Sequence, residues 1–342
     1  MTQMSFLQFV QNYAEIGTVT RDGTRMTSEP EPDSAATVDT VAVTVSAGGG
    51  RNIMPASGTA GPAAGGGIAA AMQERSTGEN FPVALRALPA RYRQHLMAVY
   101  GFARTVDDIG DRAPVPDRPR LLDELETDLH RLYGAPGEPR SQVITALAAT
   151  VGQCGIPAQP FLDLIEANRQ DQVVSRYPSY ADLLGYCELS ANPVGRIVLY
   201  VFGQFSPARA VASDRVCTAL QLVEHWQDVA EDYRAGRIYL PGEDLARWDV
   251  AEVDLAAPRA TTALRSLMAF ECQRARSLLD AGAPLVGSLR GWARVAVAGY
   301  VAGGRAALAA IEAAQYDVLR ATHTPGKAAT AQAALRAYVT GR

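Results

Sequence analysis

Two acidic stretches, remote from one another in the chain, share one spacing. Tyr100 to Asp111 contains Asp107-x-x-x-Asp111, and Gln221 to Pro241 contains Asp228-x-x-x-Asp232. On a helix that spacing sets both carboxylates on one face, a turn apart. A fold that uses both pairs together must bring two distant helices face to face. Both pairs fall toward the ends of expected helices, ahead of Pro114 and Pro116 in one case and of Gly236 in the other. The helix dipole opposes a carboxylate there by about 0.3–1 kcal/mol, and solubility alone does not call for four such placements. A divalent cation reverses the argument. Magnesium prefers oxygen ligands and takes one or two carboxylates together with waters and substrate phosphates. Two opposed pairs suit magnesium ions that bind a diphosphate and neutralise the charge developing as it departs.

The competing interpretation is a solvated face paired with Arg112, Arg234 and Arg237. For one such pair alone it is the better account. Two pairs, each with Arg and Tyr close by, favour the metal–diphosphate site. Tyr100 and Arg104 precede Asp107 at helical spacing, so they share its face, and Arg104 is a fork donor suited to phosphate oxygens. Gln221, Glu224, Asp228 and Asp232 form a ladder along one side of the second helix, with Glu224 a further metal-ligating carboxylate. Arg237 and Tyr239 follow the Gly236 break and are placed to fold back over the mouth. His225 reads as packed beside Trp226 rather than as a ligand.

The rest of the chain points to an all-α fold. Ala, Leu, Val and Arg are plentiful, and no Val/Ile alternation is punctuated by Asn-Gly or Asp-Gly turns. Apolar residues at helical spacing predict helices at about 90–110, 120–132, 141–153, 158–171, 178–189 and 190–203. A long helix is expected over 208–235 and two closing helices over 257–281 and 284–320, with a frayed one near 328–338. Residues 1–75 are poor in large apolar side chains and rich in Gly, Ala and Pro, the composition of a disordered extension. Gly65-Gly66-Gly67 lacks the Gly-Lys-Ser/Thr of a phosphate loop. The functional domain is assigned to 76–322 and a flexible tail to 323–342.

The net charge of −4 comes with no basic stripe, which argues against a nucleic-acid partner. Cys154, Cys187, Cys217 and Cys272 are widely spaced and without a CxxC motif, so reduced, buried thiols and a cytoplasmic setting are expected. No signal peptide is read at the N-terminus. No spanning helix is expected; Val295 to Ala310 comes nearest, interrupted by Gly299, Gly303, Gly304 and Arg305.

At the acidic stretches the chain resembles the squalene/phytoene synthase family of head-to-head isoprenyl diphosphate synthases, from about Asn80 to Leu319. The motifs are Tyr-x-Phe-x-Arg-x-x-Asp-Asp-x-x-Asp at 100–111, and Gln-Leu followed by Asp-x-x-Glu-Asp-x-x-x-Gly-Arg-x-Tyr-Leu-Pro within 221–241. The block Tyr186-Cys187 to Val194-Gly195 resembles a third family segment. The resemblance implies a single isoprenoid-synthase-type helical bundle with a central cavity. It makes Tyr186 a catalytic residue beside Asp107, Asp111, Asp228 and Asp232, for proton handling or cation stabilisation. Phe81 and Asn192 join Tyr100, Arg104, Gln221, Arg237 and Tyr239 as substrate-binding residues.

Glu79 to Val83 and Ser190 to Gly195 look most like the bacterial hydroxysqualene synthases of hopanoid biosynthesis. That branch implies ionisation of presqualene diphosphate with magnesium, capture of the cation by water, and no NADPH. Other family activities start from farnesyl or geranylgeranyl diphosphate and give presqualene diphosphate, squalene or phytoene. Greasy substrates and products imply weak contact with a membrane surface. A non-catalytic helical assembly factor of the same fold is the alternative of a different class; such relatives tend to lose the aspartates that this chain has. Two positions depart from the family pattern. Glu224 stands where Asn is usual, adding a negative charge, and Gln227 stands where Arg is frequent, removing a diphosphate contact.

Overall fold

The computed structural model of the chain describes residues 88–320 and 327–341, apart from the side chains of 327–332. The expected extension over 1–75, and Phe81, lie outside the described residues. The first described helix, α1, spans Ala90–Arg112 and buries Val99, Phe102, Ala103 and Val106. Pro114 ends it by forcing Ala113 into an extended conformation (φ −64°, ψ 152°). Then follow α2 (Arg118–Leu132), α3 (Gln142–Cys154), α4 (Gln159–Gln170), α5 (Tyr180–Ser190) and α6 (Asn192–Val201). A capping box starts α5: Ser179 accepts from the Asp182 amide while the Asp182 carboxylate accepts from Ser179. Pro193, in the first turn of α6, separates α6 from α5.

The centre of the fold is α7, Pro207–Gln227, which packs on α6, on α10 (Thr262–Gly282) and on α12 (Gly291–Ala313). Every residue from Val216 to Trp226 is buried. A helix enclosed on all sides belongs to a core rather than to a surface. The small helices α8 (Val229–Arg234), α9 (Gly242–Arg247) and α11 (Leu285–Ser288) complete the order with α13 (Lys327–Thr340). No strand occurs among the described residues, where the β-pairing is an isolated parallel bridge between Arg176 and Ile238.

Three expectations need correction. The helix expected over 208–235 is broken at Asp228, whose backbone (φ −105°, ψ 13°) closes α7 and opens α8. The helix expected over 284–320 is divided at extended Leu289, and α12 stops at Ala313. The helix near 328–338 is packed rather than frayed: α13 lies against α12, Ala337 is buried, and the Gly287 amide donates to the Gly341 carbonyl at 2.9 Å. Among the described residues, α12 is long and apolar enough to cross a membrane by length and composition, and half of that stretch is buried inside the fold. All four cysteines are unpaired, and Cys187, Cys217 and Cys272 are buried.

Candidate active site

The site begins with a satisfaction problem on α7. Thr218, Gln221, Glu224 and His225 are polar and buried in the middle of the fold, and buried polar groups demand partners. Thr218 finds one by donating to Asn192 Oδ1 at 2.9 Å, which ties the start of α6 to α7. The Gln221 side-chain amide meets His225 Nε2 at 3.2 Å. Among the described residues Glu224 finds none: both carboxylate oxygens are buried without a hydrogen-bond partner. Burial pushes its carboxyl well above the usual range, and Asp228, Asp232 and Asp107 push the same way. Asp107 stands on α1 and Asp228 at the far end of α7, so Glu224 lies within the field of both acidic pairs.

The two pairs are held differently. Asp107 and Asp111 ride one continuous helix. That helix comes close to α4 at Gly110, where a Cβ would stand 2.2 Å from Asn168 Oδ1. Asp228 and Asp232 straddle the break. Their spacing survives because the Asp232 amide donates to the Asp228 carbonyl at 2.8 Å. Asp232 therefore sits in the first turn of α8 rather than against the dipole of one long helix, contrary to the sequence expectation. Burial raises the Asp228 carboxyl to about 6, with Glu231 adding to the effect. It raises Asp232 to about 8, with Asp228 adding and Arg237 opposing. Asp111 is raised by burial and restrained by Arg237 and Arg118.

Arg237 joins the halves. Gly236 takes a left-handed turn (φ 85°), and residues 238–243 then run along 175–178, with the Ile238 amide donating to Ser175 at 3.0 Å and the Gly242 amide to Tyr177 at 2.8 Å. The Arg237 guanidinium reaches to 4.0 Å from Asp111 and donates to the Asp171 backbone carbonyl at 3.4 Å. Tyr239 stacks on His225 at 3.7 Å between ring centroids and on Tyr177 at 5.7 Å. His225 is thus packed, as expected, but against Tyr239. Burial and Arg237 depress it to about 3, so the ring is neutral and its 4.0 Å approach to Asp232 is not an ion pair. Tyr186 is buried 5.5 Å from Tyr177 and 5.9 Å from Tyr239, and its hydroxyl donates to Asp171 Oδ2 at 3.0 Å.

Of the expected residues, Arg104 pairs with Asp108 at 3.4 Å, and Tyr100 is buried on the same helix. Asn192 is bound to Thr218, one turn before Gln221. Sequence reasoning passed over Asp171 and Tyr177. Asp171 closes α4 as a single acid, without the repeated spacing that marked the pairs.

Among the described residues no group of three or more His, Cys, Asp or Glu side chains is gathered tightly enough to hold a metal ion unaided. The donor set nevertheless suits magnesium, which is seldom held by an all-protein cage and draws part of its shell from substrate phosphate. Asp107, Asp111, Glu224, Asp228 and Asp232 offer only hard oxygens, and the unpartnered Glu224 carboxylate is the group a cation would satisfy.

A profile for squalene/phytoene synthases matches residues 75–329. The chain belongs to the squalene/phytoene synthase family. It is 35% identical over 215 residues to the hydroxysqualene synthase of Rhodopseudomonas palustris, an alignment covering 62% of this chain and 72% of that one. The phytoene synthase of Arthrospira platensis is 33% identical over 213 residues, covering 58% and 68%. Among solved structures, squalene synthase HpnC from Alicyclobacillus acidocaldarius superposes with a TM-score of 0.63 at 41% identity, covering 67% of this chain and 86% of that one. The helical fold is that of squalene synthases, and the family consists of isoprenoid synthases acting on prenyl diphosphates.

Proposed function

We propose that this chain is a hydroxysqualene synthase that converts presqualene diphosphate and water to hydroxysqualene and diphosphate. The observation that carries the proposal is the buried Glu224 side chain, whose two oxygens have no hydrogen-bond partner among the described residues, on the helix whose Arg237 continuation reaches to 4.0 Å from Asp111 of the first acidic stretch. Acids from both stretches raise its carboxyl, which supports reading the two pairs as one site. Bound magnesium, held by Asp107, Asp111, Glu224, Asp228 and Asp232, would neutralise the charge that builds on the departing diphosphate. Arg237, 4.0 Å from Asp111, and Arg104, paired with Asp108 at 3.4 Å, would serve as fork donors to phosphate oxygens. Tyr100, Gln221 and Asn192 are assigned to substrate binding in the same reading, and Tyr177, Tyr186 and Tyr239, which lie near one another, would offer ring faces to a carbocation. The buried helices around α7 keep bulk water from the cation. Cytoplasmic placement, with weak contact to a membrane surface where the substrate dissolves, belongs to the same proposal.

The similarity to hydroxysqualene synthases supports this choice of substrate. The similarity to phytoene synthases favours, as a second reading, head-to-head coupling of two prenyl diphosphates. Incubation with presqualene, farnesyl and geranylgeranyl diphosphates, with and without NADPH, followed by mass spectrometry of the products, separates the two. The proposal expects hydroxysqualene from presqualene diphosphate without NADPH. Phytoene from geranylgeranyl diphosphate, with presqualene diphosphate untouched, would refute it.

A further inference from the structure

We propose that Asp171, acting through the Tyr186 hydroxyl, receives the proton of the water that captures the carbocation. The inference rests on the hydroxysqualene synthase reading above. The Tyr186 hydroxyl donates to Asp171 Oδ2 at 3.0 Å. Burial, reinforced by the Asp171 carboxylate, holds this phenol well above its ordinary range, so the proton stays on the oxygen and points at Asp171. A phenol that donates its one hydrogen in this way presents lone pairs elsewhere, as an acceptor.

Asp171 belongs to neither acidic pair. It is tied to the diphosphate end through Arg237, which bonds its backbone carbonyl and lies 4.0 Å from Asp111. The other groups around Tyr186 are the Tyr177, Tyr239 and His225 rings, whose centroids lie 5.5, 5.9 and 6.3 Å from its own. The Asp171 carboxylate is the base in direct hydrogen-bond contact with Tyr186.

The step balances without an oxidant or reductant. The carbon–oxygen bond to diphosphate breaks, and its electron pair leaves with the diphosphate. The water oxygen bonds to the rearranged cation. One water proton passes to Tyr186 Oη as the phenolic proton passes to Asp171 Oδ2, and Asp171 later returns it to solvent. Tyr186 touches the water; Asp171 is the positioning residue that holds the hydroxyl and accepts its proton.

The test uses the full chain with presqualene diphosphate in heavy-oxygen water, measuring diphosphate release and neutral products separately. In Asp171→Asn, products are read per diphosphate released, so that a change in overall turnover does not mask a change in partition. The labelled alcohol should fall by about 10-fold or more, replaced by hydrocarbon formed through proton loss. Tyr186→Phe should shift the products in the same direction, and Asp171→Glu should restore part of the alcohol. An unchanged alcohol fraction in Asp171→Asn and Tyr186→Phe overturns the proposal. So does a parallel loss of diphosphate release and alcohol at constant product ratio, which would make Asp171 a structural prop. If the wild-type chain itself forms no labelled alcohol, the hydroxysqualene reading fails, and the water-capture role fails with it.

Discussion

Glu271 and Glu224 are both buried carboxyls on long helices, and their neighbours set them apart. Arg274 Nη1 bonds Asp244 Oδ2 at 2.5 Å and Glu271 Oε1 at 3.2 Å, while its guanidinium lies over the Tyr180 and Phe270 rings. One cation therefore serves two buried carboxyls. Burial raises Glu271 from 4.5 to about 8, Asp244 adds to the rise, and Arg274 opposes it. A carboxyl whose folded value lies above its unfolded one stabilises the fold fully below the unfolded value and loses that contribution as pH rises through the folded one. Stability should accordingly decline between pH 4.5 and about 8 in the wild type. In Glu271→Gln that decline should flatten, so the urea midpoint of the variant gains on the wild type as pH rises through this window. Parallel curves for the two proteins would contradict the assignment. Among the described residues, Glu224 has no hydrogen-bond partner. Glu224→Met, which fills the space without an unpaired polar group, should raise metal-free stability by about 1–3 kcal/mol. The same change should abolish most of the thermal shift that magnesium with diphosphate confers on the wild type. A retained shift would remove Glu224 from the metal set.

At the scale of elements, close approach of helices fixes the site. Gly282 ends α10 against α7, where a Cβ would stand 2.7 Å from Val216 Cγ2 and 2.8 Å from the Ala212 backbone carbonyl. The backbone cannot swing aside as a side-chain tip can. Gly282→Ala should therefore cost about 1–3 kcal/mol in urea unfolding, and an unchanged midpoint would mean the two helices part freely. Most helices were legible because apolar residues recur at helical spacing and prolines mark their ends, as Ala113-Pro114 does for α1. The break at Asp228 was not. Glu224 to Arg234 holds no Gly or Pro, and local propensity runs straight through it. Asp228 instead adopts a sparsely populated backbone region in which active-site residues are often found. The division at Leu289 did leave a sign, in Gly287-Ser288 before it and Gly291 after it, which the apolar pattern over 284–320 masked.

At the scale of the whole molecule, the sequence exposed the acidic pairs because their spacing repeats, and it could not show what joins them. That junction depends on contacts between remote segments: the run of 238–243 along 175–178, Arg237 between Asp111 and Asp171, and the ring stack of Tyr177, Tyr239 and His225. Asp171 is a lone acid at the end of α4, without a repeated partner to draw attention to it. The proposed site makes the two pairs one functional unit. Residues that act as a unit lose activity non-additively. The most direct measurement is diphosphate release from presqualene diphosphate by Asp107→Asn, Asp228→Asn and the double variant. Each single change should lower the rate by roughly 100-fold or more, and the double variant should fall far short of the product of the two losses. Near-normal release by both single variants would contradict a shared site.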